Sequence, residues 1–241
     1  MNGIFPADLA VYLLLIPVVI YVFICHRWSG FLPWYYLTVF CFARMIGGAL
    51  GVHDSNGLAA NIIQSVGLTP LILAVDGLIH EGRTHRNPSH GRVVGLCVVI
   101  GTTGLMAAAL ALTITGSLDI YEGHPKPDSL THWKAGVALI VVTWVFQIFW
   151  GLFSLLHFQG KMDAPGYRGG TALLQGALVS LIFIGIRVIY NMVMVATQDK
   201  DLSPIHGTIA VRVLLLFLPE VLAAFTMIFV GLRTRHIRQS R

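Results

Sequence analysis

A glutamate stands near the middle of one of the oiliest runs in the chain, LLLFLPEVLAAF, from Leu214 to Phe225. Glu220 shares that setting with three arginines, Arg44, Arg187 and Arg212, each embedded in its own apolar stretch. Ionisable groups at such positions are costly in hydrocarbon. They face the interior of a helix bundle, pair with one another and mark functional sites by default. A carboxyl placed there works either as a neutral acid, because burial disfavours the charged form, or as an ionised strut beside an arginine. Arg187, Tyr190 and Asn191 follow an i, i+3, i+4 spacing and so share one helical face. Arg212 and Glu220, eight residues apart, lie about 80° apart around theirs. One glutamate cannot neutralise three arginines, so the expectation is a cavity with surplus positive charge and one acid. Pro219, beside Glu220, is expected to kink its helix and free a backbone carbonyl, which favours a cavity wall over tight packing.

These residues need elements to carry them. Of 241 residues, 56% are apolar and only 11% charged, less than half the charge usual in soluble domains. The chain reads as all-α, a single domain over 1–241 and a polytopic membrane protein. Seven apolar segments, about 8–25, 32–51, 58–80, 92–115, 132–158, 170–197 and 206–231, are each long enough to cross a bilayer as a helix. Connectors such as EGRTHRNPSHGR and QGKMDAPGYRGG are turn-rich. Lys and Arg gather in alternate connectors and the tail, whereas the opposite side holds Lys126, Lys134 and Lys200 among acids that include Asp8, Asp119 and Asp199. The positive-inside rule then puts the C-terminus in the cytosol and the N-terminus in the lumen or outside. The net charge of +5 is thus a topology signal, and no nucleic acid is expected as partner. The first segment lacks a basic leader and a small-residue exit, so it reads as a retained span. The expected location is a multi-pass protein of the endoplasmic reticulum.

That topology assigns depths. Arg44 lies just beyond the midplane; Asn61, Gln64, Arg187, Tyr190, Asn191 and Arg212 fall in the lumenal half; Glu220 is close to the midplane. Asp76, one turn from His80, is placed at the cytosolic boundary. The fifth segment carries WVFQIFWGLF, in which Phe146, Phe149, Trp150 and Phe153 form a stripe. Facing inward, such π-faces stabilise a cation; facing outward, they pack against lipid. Trp34, Tyr35 and Tyr36 read as an interfacial belt, and the cysteines Cys25, Cys41 and Cys97 as small core residues. The last segment has no lysine for a retinal Schiff base. No cluster of acids suits magnesium, and no metal or organic cofactor is expected.

FARMIGGAL (42–50), NIIQSVGLTPLILAVDGLI (61–79), IRVIYNMV (186–193) and LPEV (218–221) together resemble a family of fungal seven-span proteins. Its members include the membrane-bound terpene cyclases of ascochlorin, ascofuranone and macrophorin-type meroterpenoid pathways. The resemblance runs over essentially the whole chain. It implies a lyase- or isomerase-type enzyme of secondary metabolism that protonates an alkene or epoxide of a prenylated, lipophilic substrate and directs carbocation ring closure. It implies Glu220 as proton donor, Arg44 and Arg187 orienting that acid or a phenolate oxygen, and Tyr190, Gln64 and Asn191 holding the acid or the substrate's polar end. Asn61, Arg212 and the faces of Phe146, Phe149 and Trp150 would line the substrate, with membrane lipid around the protein. A prenyltransferase and an epoxidase would act beside it. Two other readings stay open: a 3+1+3 transporter, for which Arg44/Arg187 and Pro70/Pro219 are faint echoes between the two triplets, and a lipid-binding receptor or sensor.

Overall fold

The computed structural model describes residues 4–26, 30–54, 57, 62–63, 66–87, 92–121, 127–156, 160, 162–198, 202 and 208–236. Nearly all of them are helical. The elements are α1 (Ile4–His26), α2 (Phe31–His53), α3 (Leu68–Arg86), α4 (Arg92–Tyr121), α5 (Ser129–Leu155), α6 (Tyr167–Thr197) and α7 (Ile209–Thr234). Every helix but α3 is long and apolar enough to cross a membrane. Their bounds follow the sequence segments to within a few residues, except at the third. There the long helix starts at Leu68 rather than 58 and runs on through the polar HEGRTHR end to Arg86.

Helix α3 can afford that polarity because it is the central post. It packs against α2, α4, α5, α6 and, more lightly, α7, and Leu71 to Ile79 are buried without interruption. Close approach relies on glycine where a side chain would strike a neighbouring backbone. A Cβ at Gly48 would lie 2.9 Å from the Leu9 nitrogen of α1, and one at Gly77 would lie 2.6 Å from the Pro33 nitrogen of α2. Small residues at such crossings let backbones touch, which is how helices associate where the solvent is lipid. Polar ties are also internal. His26 places Nδ1 2.8 Å from Glu81 Oε1 and Nε2 3.0 Å from the Gly231 carbonyl. Both ring nitrogens face acceptors, an arrangement an imidazolium satisfies twice over, and the contacts tie α1, α3 and α7 together.

Helix α7 opens in α conformation at Ile209–Val211, continues as a π-helix over Arg212–Phe217, and returns to α over Leu218–Thr234. The Leu218 amide reaches back five residues to the Val213 carbonyl. A π run of this kind widens the turn ahead of a proline that has no N–H to give. The disturbance expected at Pro219 is therefore present as a change of helical register.

Several placements differ from the sequence reading. Asp8, counted among the lumenal acids, is buried in the second turn of α1. Asp76, placed at the boundary, is buried midway along α3. Trp34 is not an interfacial residue: it lies fully buried against His26, and only Tyr35 of the trio is exposed. Of the cysteines, Cys41 alone is buried, while Cys97 is on the outer surface. The aromatic stripe of α5 points away from the bundle, with Phe149 67% and Phe146 40% exposed. The opposite face of α5, with Thr143, Gln147 and Ser154, is the buried one. Trp150 is half-buried beneath the Arg83 guanidinium, 4.1 Å from its ring centre.

Candidate functional site

The deepest charge in α7 has company. Arg44 of α2 meets Glu220 Oε2 through Nη2, and Arg187 of α6 donates from Nε to Oε1 at 3.0 Å. Each carboxylate oxygen thus has its own guanidinium. All three side chains are at least 98% buried. Arg187 also donates from Nη1 to Asn191 Oδ1, one turn along α6. Helical geometry explains why: Arg187, Tyr190 and Asn191 do share the inward face of α6, and all are buried.

Arg44, Arg187 and Arg212 also lie over aromatic rings, Arg44 over Phe40 at 5.7 Å, Arg187 over Tyr190 at 5.3 Å and Arg212 over Phe5 at 5.8 Å. The Tyr190 hydroxyl donates to the Leu202 carbonyl, so it ties α6 to the segment that follows rather than touching Glu220. Arg212, eight residues before Glu220, turns toward α1 and is also buried.

Helix α1 supplies what the sequence reading missed. Asp8 acts electrostatically on Arg44 and Arg212, and together with Arg44 and Glu220 on Tyr12. Among the described residues the cluster therefore sets two carboxyls against three arginines, and Glu220 is not the only deep acid. Asp8 and Tyr12, spaced i, i+4, lie on the buried side of α1. That spacing is a visible signal in the sequence, obscured because residue 8 stands at the edge of the apolar segment 8–25. Tyr12 is fully buried, yet its hydroxyl has no hydrogen-bond partner among the described residues, and neither does Arg44 Nε. Gln64 and Asn61 lie outside the described residues. The backbone near them is informative all the same, since a Cβ at Gly67 would lie 2.9 Å from Arg44 Nε.

A groove lies elsewhere. A cavity of about 360 Å³ between α5 and α6 is lined by Trp144, Ile148, Leu181, Gly185 and Ile189, among others, and is apolar. It opens on the outward face of α6, where Ile182 and Ile189 are exposed, away from Arg187. A surface groove of this kind suits a lipid chain, and the polar side chains are in the cluster, which is the stronger candidate site.

Helices of membrane-spanning length and composition, closed around a buried carboxylate–guanidinium cluster, define a polytopic helical protein built for a bilayer. More particularly, the chain belongs to the family described as Domain of unknown function (DUF7702), which matches residues 1–237. Neither a curated protein nor a solved structure matches it.

Proposed function

We propose that the chain is a membrane-bound terpene cyclase acting on a lipophilic, prenylated aromatic substrate, oriented with seven crossings and a cytosolic C-terminus. The observation that carries the reading is that the buried cluster is not closed on itself. Tyr12 Oη and Arg44 Nε point into a charged, water-excluded setting with hydrogen-bonding capacity unspent among the described residues. An unmade hydrogen bond of a buried donor costs about 1–3 kcal/mol. A phenol or epoxide oxygen arriving there would recover it. Arg187 Nε donates to Glu220 Oε1 and Arg44 Nη2 is ion-paired with Oε2, so a guanidinium faces each oxygen; this is the setting of a carboxylate, since a neutral acid would turn one O–H against a cation. In this proposal Glu220 is the ionised strut that fixes Arg44 and Arg187 for substrate, and the Tyr12 hydroxyl gives the initiating proton: its O–H bond breaks as hydrogen bonds to the substrate's epoxide or alkene, and it regains the proton that the last cation sheds on quenching.

Microsomes bearing the full chain, supplied with a farnesylated or epoxyfarnesylated phenol, are expected to yield cyclised isomers of the substrate. Tyr12→Phe is expected to lose most conversion while still inserting, and Arg212→Ala to lose less. A wild-type protein that leaves every such substrate unchanged would sink the reading. A second reading, the transporter, is favoured by one observation: the π-helical break of α7 lies directly before Glu220, as discontinuous helices do at midplane transport sites. Solute uptake into vesicles without any cyclisation would select it.

A further inference from the structure

We propose that Asp76 is a proton-carrying site, a carboxyl held in its neutral form between α3 and α4 and separate from the arginine cluster. The inference goes beyond the cyclase reading and stands without it. Asp76 is 1% exposed. Its Oδ2 lies against the Thr102 hydroxyl of α4, and its Oδ1 has no hydrogen-bond partner among the described residues.

Counting hydrogens favours a neutral Asp76, because one Thr102 hydrogen faces three acceptors. Thr102 Oγ is also 3.0 Å from both the Val98 and Val99 carbonyls of its own helix. A hydroxyl owns one hydrogen, and a helical threonine spends it on the i−3 or i−4 carbonyl. With that hydrogen committed, two oxygens in contact need another, and only the carboxyl can supply it. In the proposed neutral state Asp76 donates from Oδ2–H to Thr102 Oγ, whereas an ionised Asp76 would accept from the Thr102 hydroxyl. The lone Oδ1 agrees: in the neutral acid it is an unpartnered carbonyl oxygen, whereas in a carboxylate it would be unpartnered charge in hydrocarbon, which costs far more.

Among the described residues the neighbouring helices bring no compensating cation. Along α4 the charged residues are Arg92 and Asp119, close to its two ends, and along α5 they are His132 and Lys134, in its first turns. Opposite Asp76, α5 presents Gln147, which donates from Nε2 to the Ile72 carbonyl at 3.2 Å, one turn away. Arg44 of α2 lies against Gly67, and Asp76, nine residues further on, is half a turn around α3 from it. Arg187 of α6 and Glu220 of α7 are engaged with each other, and Glu81 is engaged with His26. Among the described residues, Thr102 is the only side chain that acts on the Asp76 carboxyl.

His80, one turn along α3, is the next protonatable group toward the polar end of that helix. Loss of the proton breaks the Asp76 Oδ2–H bond and forms an O–H bond on water, leaving hydronium and a carboxylate; the reverse step restores the acid, and no other reactant is required.

Dicyclohexylcarbodiimide adds to protonated carboxyls in apolar surroundings and provides the test. Membranes holding the full chain are treated at neutral pH, digested, and the peptides weighed. The expected result is an adduct on the peptide bearing Asp76 that falls as the pH is raised, is absent from Asp76→Asn and persists in Glu220→Gln. An unlabelled Asp76, whether or not Glu220 takes the reagent, overturns the proposal. The wild-type protein alone decides it, so a variant that fails to insert does not obscure the result.

Discussion

Glu220 and Asp76 are buried to the same degree, each 1% exposed, and sit in opposite settings. Glu220 has a guanidinium on each oxygen; Asp76 has one hydroxyl and, among the described residues, no partner on its other oxygen. The difference teaches that depth alone does not set what a buried acid does. Burial penalises charge at both sites, and the neighbours decide whether the penalty is met by pairing or by keeping the proton. Helix α3 separates the two solutions, with the ion pairs reached from its start at Gly67 and the neutral acid on its far side.

Substitutions can break that contrast in order of size. Arg187→Met leaves a carboxylate with one partner in place of two, and is expected to destabilise the protein by about 3–5 kcal/mol, read as reversible unfolding in mixed micelles. Glu220→Gln keeps the shape but strands two guanidinium groups, and about 2–3 kcal/mol of loss is expected by the same measurement. Thr102→Val removes the acceptor for the Asp76 hydrogen and is expected to cost about 1 kcal/mol. Asp76→Asn is expected to fall within about 1 kcal/mol of wild type, because an amide N–H can donate to Thr102 as the acid does. Phe149→Ala, on the outward stripe, is expected to lie within about 0.5 kcal/mol of wild type. An Asp76→Asn variant as unstable as Arg187→Met would erase the contrast.

Much of this was legible in the chain. Hydropathy alone delimits the helices other than α3, because a lipid-facing helix must be apolar over its whole length. The third helix was less legible because a post surrounded by other helices is released from that demand, and its HEGR end is accommodated by His26, Ser154 and Trp150. The meeting of Arg44, Arg187 and Glu220 followed from topology and depth. Asp8 and Tyr12 did not, since whether residue 8 is loop or helix rests on a boundary that composition leaves loose. The stripe of α5 shows a further limit: a 3.6-residue period states that Phe146, Phe149 and Phe153 share a face, not which way that face looks. Asp76 was visible as a lone acid, but its protonation depends on where the Thr102 hydrogen goes, and that needs both helices in place.

The measurement that tests the account most directly is the infrared spectrum of the membrane-embedded protein at neutral pH. The account predicts a carbonyl stretch of a protonated carboxylic acid that disappears in Asp76→Asn and survives in Glu220→Gln. Loss of that band in Glu220→Gln, with Asp76→Asn unchanged, would contradict it.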